Sequence, residues 1–487
     1  MTKQRQASLL LCLPRWDGPN HGMFLGMCDL KTFLQHQGIR VEIFDADVAH
    51  YAANQEDIKY EQILEDALCD FQPDFVGIHI NTPNYKNALE LVETIHRLHP
   101  EAKVIVGGPH ASVAWQCLLL MHKEIDFVIV GEGEKPLLEL IKQNNNVKQG
   151  SLPPGVAGRV NNDIKYIPAT YLPSESLMAS DRRALLDSPF ELLRKWAPKR
   201  YLDNFYGAIS SFSGRRATNI YIARGCTKKC PYCSPGAFWK DPISGLPKQR
   251  LKPVSELEKE LCYLKSFGFS AVYFDEMAMP FQAENTMLEL ATILYKYDFF
   301  WGGAVLFNQI KHIDLERLAA LGLRYLYFGL ETPQPHLQKI IEKKSSDHQV
   351  ITFIEKCFSL GIQCDLSMFF GIPGETEKTV RDTVAWLNKY LPRGNAFFSI
   401  AAIWPGTQWA QQFGLGAECW EPSFDKKNAP GNVVWYSHDM TSIGKFFSNS
   451  LGTYHPPFLT PQKALWIKQL IIDSGFRERF AKFSRKA

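Results

Sequence analysis

The sequence predicts an α/β protein in two sheet-based halves: a doubly wound parallel sheet first, then a partial (β/α)6 barrel with a small C-terminal region. Between residue 8 and about 145, short apolar runs alternate with amphipathic helical stretches, the pattern of parallel strands buried on both faces. After a turn-rich break the alternation resumes at residue 218 and continues through six strand-helix units, enough for a partial barrel. The length of 487 residues allows roughly two to four domains. The boundaries read as 1–147, 148–215, 216–415 and 416–487.

In chain order, "SLLLCL", "RVEIFD", "DFVGIHI", "KVIVGG" and "DFVIVGEG" are the strands of the first sheet, with "YEQILEDALCDF" and "NALELVETIHRLH" among its helices. In such sheets ligands sit beyond the carboxyl ends of the strands. Residues 146 to about 215 contain "NNNVKQGSLPPGVAGRVNNDI" and read as a connector with short elements and no chemistry of its own. The barrel strands are "TNIYIAR", "FSAVYFDE", "FFWGGAVLF", "LRYLYFGLE", "CDLSMFFGIPG" and "NAFFSIAAIWPG". The helices "SELEKELCYLKSFG", "DLERLAALG" and "EKTVRDTVAWLNKY" fall between them. Near the C-terminus Phe476, Phe480 and Phe483 share one helical face, which reads as a packing helix with a solvated basic side.

Composition narrows the function. Apolar residues make up 45% and charged residues 22%, as in ordinary folded domains. The net charge of +3 is too small to gather nucleic acid or an anionic membrane. No run approaches the roughly 18 to 20 uncharged apolar residues of a membrane helix. The basic-then-apolar start "MTKQRQASLLLCLPRW" lacks a signal peptide's length and cleavage site, so it reads as a first core strand. Most of the eleven cysteines are scattered singly, so a disulfide framework is not expected and a reducing cytoplasm is.

Three cysteines are not scattered. "RGCTKKCPYCSP" places Cys226, Cys230 and Cys233 on a loop after the first barrel strand, where three close thiolates suit a soft metal. Zinc would want a fourth ligand, and no second Cys or His pair lies nearby. An iron-sulfur cube held by three cysteines keeps one iron open to a substrate or cofactor.

This loop resembles that of the radical S-adenosylmethionine (SAM) enzymes, C-x3-C-x2-C with an aromatic residue, here Tyr232, before the last cysteine. The resemblance implies a [4Fe-4S] cluster on Cys226, Cys230 and Cys233 whose open iron chelates SAM, and cleavage of SAM to a 5′-deoxyadenosyl radical. It also implies cofactor contacts from Asp275 and Glu276 in "YFDEM", Asn308 ending the third barrel strand, Glu331 in "FGLETP", and Gly371, Pro373 and Gly374 in "FGIPGET". Taken singly, Glu331 could instead cap a helix and the glycines could only turn the chain.

The first half resembles the Rossmann-like cobalamin-binding domain that precedes the barrel in one subclass of the family. The segments are "FVGIHINTPN", "VIVGGPHAS" and "FVIVGEGEKPLLEL". They imply that Gly107, Gly108, Gly131, Glu132 and Gly133 close on the nucleotide tail, with Asn81 and Thr82 offering hydrogen bonds beside it. The Asp-x-His-x-x-Gly loop of many cobalamin domains is replaced by "PRWDGPNHGM", so Asp17, His21 and Gly22 have the wrong spacing and the implied cobalamin has no histidine ligand.

Together these resemblances imply a cobalamin-dependent radical methyltransferase that adds a methyl group to an unactivated carbon of a small-molecule or natural-product substrate. The expected partners are that substrate and an electron donor such as a flavodoxin or ferredoxin, with no nucleic acid and no membrane. No catalytic side chain is expected, because the cofactors carry the hard chemistry. The alternatives are a cobalamin-dependent ring contraction, cyclisation or elimination, methylthiolation of RNA using Cys12, Cys28 and Cys69, and a non-catalytic cobalamin sensor or carrier.

Overall fold

The computed structural model describes residues 7–15, 22–143, 151–202, 209–212, 214–241, 244–245, 248–275, 284–391, 395–413, 435–436, 454–455 and 459–474. Glu276, Asp17, His21 and the three C-terminal phenylalanines lie outside these. The chain divides into two compact units. One is residues 1–203 with 237–248 and 415–421; the other is 204–236, 249–414 and 422–487.

In the first unit, β1 (Ser8–Leu13) is buried at all six positions, which needs cover on both faces. β1 lies between β2 (Arg40–Asp45) and β3 (Phe75–His79), followed by β4 (Lys103–Gly107) and β5 (Phe127–Ile129). The order 2-1-3-4-5 reverses between β1 and β3, the point where this topology opens a crevice for ligands. Asp45 ends β2 and caps the next helix, Ala46–Glu56, by accepting from the backbone N–H groups of Asp47 and Val48.

The segment read as a connector does not stand apart from this sheet. β6 (Val156–Val160) and β7 (Asp163–Tyr166) extend it antiparallel. Asn161 and Asn162 both have positive φ, the signature of a tight hairpin turn matched to strand twist. The helix Glu191–Leu202 packs on the same unit: Arg200 pairs with Asp47 at 2.5 Å, and the Trp196 indole donates to Glu56 at 2.9 Å.

The second unit is a six-stranded, all-parallel sheet in sequence order: β8 (Ala217–Ile220), β11 (Ala271–Phe274), β12 (Phe300–Val305), β13 (Leu323–Glu331), β14 (Gln363–Phe370) and β15 (Ala396–Ile400). The expected strand over 218–224 is broken in two. Its second piece, β9 (Ala223–Arg224), leaves the sheet and pairs antiparallel with β10 (Arg250–Leu251), bracketing the cysteine loop. Gly302 is required where β12 crosses β13, because a Cβ there would strike the backbone of Tyr325. Ile209, Phe212, Ala217, Ala271 and Tyr325 pack together at the N-terminal ends of the strands.

Asn308 does not end a strand. β12 stops at Val305, and Asn308 lies in the short helix Phe307–Ile310 with its amide donating to the Lys344 carbonyl at 3.0 Å. The apolar run "AVLF" continues the strand pattern in sequence, but Phe307 is buried on Phe328 and Phe353 from a helix.

Candidate cofactor sites

Cys226 is buried, and Cys230 and Cys233 are half-buried; none forms a disulfide. The backbone N–H of Cys233 donates to the Cys230 carbonyl at 3.1 Å, a turn that brings the last two thiols together. Burial pushes the Cys230 thiol up and the Cys233 thiol to about 12; Cys226 raises Cys230 further, and Cys230 and Cys226 both raise Cys233. A bound cation would offset the repulsion between neighbouring thiolates at Cys230 and Cys233. Among the described residues no three His, Cys, Asp or Glu side chains converge on one point; a cube takes its ligands at separate corners.

Tyr232 points back into the barrel. Its ring stacks on Phe369 at 5.1 Å and tilts on Trp409 at 5.7 Å, and its hydroxyl donates to Glu331 at 3.4 Å. The Trp409 N–H donates to the Pro231 carbonyl at 3.1 Å. Sequence reasoning missed Trp409; its "WPGTQW" turn directly after the last barrel strand was the available signal.

Glu331 is the centre of this end of the barrel. A register shift between Gly329 and Glu331 bulges β13 there, and Glu331 has φ +65°, left-handed for a side chain that disfavours it. Lys343 holds one carboxylate oxygen at 2.6 Å and the Gly329 carbonyl at 2.9 Å, while Ser367 donates to the other oxygen at 3.2 Å. A Cβ on Gly329 would collide with both Glu331 and Lys343. Burial pulls the Lys343 ammonium down, but Glu331, Cys230 and Cys233 outweigh it and leave it above its ordinary range. A backbone strained where three donors hold one acid marks a positioned functional group.

Asp275 follows β11, half-buried, accepting from Asn219 at 3.4 Å, and desolvation raises its carboxyl. The turn after β14 has Gly371 at φ +83° and Gly374 at φ +84°, with Pro373 between them. Gly371 packs on Leu459, and its N–H is committed to the Glu375 carboxylate at 2.5 Å. Burial raises Glu375 to about 7, opposed by that N–H and by Lys463. Sequence reasoning missed Glu375, although it directly follows the turn in "FGIPGET".

In the first unit the named residues gather at the carboxyl ends of β3, β4 and β5. Gly107 and Gly108 end β4, and Gly108 has φ +100° with the His79 ring against it. Gly131 has φ +93°, donates its N–H to the Ser112 hydroxyl oxygen at 2.9 Å and faces Tyr171. Glu132 accepts from the Leu172 N–H at 3.2 Å, and Gly133 packs on Leu30. Asn81 caps the turn 82–84 reciprocally with Asn84, and Thr82 meets His110 at 3.0 Å.

Two histidines were missed there. The Nε2 atoms of His79 and His110 are buried without a hydrogen-bond partner among the described residues. Burial lowers His79 to about 4, opposed by Asn81, and His110 to about 3. Buried polar atoms without partners carry a cost that a ligand or ordered water removes. Positive-φ glycines and orphaned ring nitrogens at one strand-end crevice fit a bound cofactor, and three free thiols with a neighbouring acid fit a cluster and its co-substrate.

Comparison with known proteins gives the same division. The B12 binding domain matches residues 21–141, and the radical SAM superfamily matches residues 220–387. The chain is 25% identical over 508 aligned positions to a cytidylyl-2-hydroxyethylphosphonate methyltransferase of Streptomyces wedmorensis, covering 95% of this chain and 93% of the relative. It is 22% identical to an anaerobic magnesium-protoporphyrin IX monomethyl ester cyclase of Rubrivivax gelatinosus, covering 90% and 78%. The fold is that of the radical SAM methyltransferase TsrM from Kitasatospora setae, with a TM-score of 0.69 at 18% identity over 96% of this chain and 91% of that one. It is also that of the cobalamin-dependent radical enzyme OxsB, at 0.69 and 16% over 97% and 67%. No helix among the described residues is long and apolar enough to cross a membrane. The chain belongs to the cobalamin-dependent radical SAM enzymes, with a B12-binding domain ahead of the barrel.

Proposed function

We propose that this enzyme methylates an unactivated carbon of a small-molecule substrate. The observation that carries the reading is the three-thiol loop at the barrel mouth, with Tyr232, Glu331 and Lys343 bound to one another beside it. Cys226, Cys230 and Cys233 are the cluster ligands in this reading. Tyr232, Asp275, Glu331, Gly371, Pro373 and Gly374 surround SAM. Asn81, Thr82, Gly107, Gly108, Gly131, Glu132 and Gly133 border the cobalamin. Asn308 is not carried into the set, because its amide is already spent on Lys344. When bound, these groups supply the electron that cleaves SAM and a carrier for the methyl group.

The chain's own residues position and shield. Lys343 holds the Glu331 side chain in place, which leaves a fixed acceptor for the hydroxyl or ammonium groups of a co-substrate. The Tyr232, Phe369 and Trp409 rings exclude water from one side of the loop. Gly371 turns the chain at positive φ, and Gly374, with no atom closer than 3.6 Å to where a Cβ would stand, lets a flat ring approach the backbone. A small-molecule substrate, an electron donor such as a flavodoxin or ferredoxin and a reducing cytoplasm complete the reading.

The test is anaerobic reconstitution of the full chain with iron, sulfide and cobalamin, compared with the Cys226→Ala, Cys230→Ala, Cys233→Ala triple variant. The unsubstituted protein is expected to hold four irons per chain, to show a corrin spectrum, and to form 5′-deoxyadenosine and S-adenosylhomocysteine together; the variant holds no cluster. Deoxyadenosine without the homocysteine product would favour the cyclisation class represented by the Rubrivivax relative's name. Cobalamin uptake with no iron in either protein would leave a carrier and sink the enzyme reading.

A further inference from the structure

A basin of about 520 Å3 opens at the C-terminal mouth of the barrel, between the helix that follows β12 and the segment that follows β13. Lys311, Lys339, Lys343 and Lys344 line it, and no lining residue is acidic. Lys343 spends its charge on Glu331. Lys311 reaches the Gln349 amide at 3.5 Å and lies 5.9 Å from the centre of the Phe307 ring, and neither is a counter-charge. The Lys339 and Lys344 side chains have no partner among the described residues. Lys195, Lys296, Lys356 and Lys378, by contrast, each pair with a carboxylate.

The helix Asp347–Ser359 begins at the same basin, with Ser346 and Gln349 in the lining. Its positive end adds to the four ammonium groups. The one acid in its first turn, Asp347, does not line the basin. Concave surfaces of a single sign focus the field and concentrate counter-ions. Three lysines held together without a counter-charge repel one another, and a multiply charged anion relieves that repulsion.

We infer that this basin binds a phosphate or phosphonate group carried by the substrate. Lysines are rotatable point donors that suit a tetrahedral oxyanion, whereas planar carboxylates are matched by an arginine fork, and no arginine lines the basin. The inference rests on the proposed function in taking the ligand to be the substrate. It assigns the substrate's anionic end to the rim between β12 and β13, which leaves its uncharged part free to enter the mouth.

The experiment titrates inorganic pyrophosphate into the reconstituted full chain by calorimetry at low ionic strength, with SAM present. Lys339→Ala and Lys344→Ala are compared with Lys378→Ala, a paired surface lysine elsewhere on the barrel. One-to-one binding is expected, weakened about tenfold by each basin substitution and unchanged by Lys378→Ala, with iron, cobalamin and SAM binding intact in all three. Absence of binding, equal weakening by Lys378→Ala, or displacement of pyrophosphate by SAM overturns the inference. Binding of a flavodoxin weakened by the basin substitutions, without pyrophosphate binding, assigns the basin to an acidic protein and overturns it too. Failure of the proposed function looks different: iron or cobalamin uptake is lost while pyrophosphate still binds.

Discussion

Glu331 shows how one residue carries strain and chemistry together. Its left-handed backbone costs about 1–2 kcal/mol for a residue with a Cβ, and its carboxylate repays this through Lys343, Tyr232 and Ser367. The two contributions separate in a pair of variants. Glu331→Ala keeps the strained φ and loses the acid, whereas Glu331→Gly loses both. Glu331→Gly is expected to be more stable than Glu331→Ala by about 1 kcal/mol in urea unfolding, while neither variant shows the change that SAM causes in the spectrum of the reduced cluster. Equal stabilities would mean that the bulge relaxes once the carboxylate is gone. The sequence displayed the acid in "FGLETP" but not its partner twelve residues on, because Lys343 returns to the site only through the turn after the helix Pro335–Ile340. Local patterning does not encode that return.

At the scale of elements, regular strands were legible and their interruptions were not. β1, β2 and β13 begin and end where the apolar alternation does. The division into β8 and β9 and the helix at 307–310 were not legible, since both continue an apolar run and only tertiary packing breaks it. The cysteine loop owes its placement to such an interruption at one end and to the short helix Gln408–Gln412 at the other, where Trp409 is 3% exposed. Truncating a buried Trp costs about 3–5 kcal/mol, and here the cavity would open behind Tyr232. Trp409→Ala is expected to lower the iron retained per chain after anaerobic reconstitution by at least half, although the N–H bond to Pro231 needs no side chain. Trp409→Phe, which restores a ring against Phe369 and Tyr232, should recover it. Full iron content in Trp409→Ala would show that the ring does not hold the loop.

For the whole molecule, the two units carry buried titratable groups of opposite sense. In the first, His79 and His110 are depressed from 6.5 to about 4 and about 3, so the stability they contribute is complete above pH 6.5 and is lost as pH falls below it. Asp45, raised to about 6 by burial and Asp47 against its bond from Tyr201, works the other way. Two histidines outweigh one aspartate between pH 4.5 and 6.5. In the second unit Glu375 is raised from 4.5 to about 7, and burial also raises Asp275 and Asp365. Their contribution is complete below the unfolded value and is lost as pH rises through the folded one. The lowered carboxyls Glu56 and Asp298 titrate below this window. Each net proton is worth about 1.4 kcal/mol per pH unit, so across this window the units diverge by several kcal/mol. Hydrogen exchange at pH 5 and pH 7, corrected for intrinsic rates, is expected to show β1–β5 losing protection in acid while β12–β15 gain it. A His79→Gln, His110→Gln variant should abolish the loss in the first unit and leave the second unchanged. If both units shift in the same direction, or the variant keeps its acid sensitivity, the buried histidines do not govern the first unit, and their orphaned nitrogens are satisfied by groups that also hold their protons.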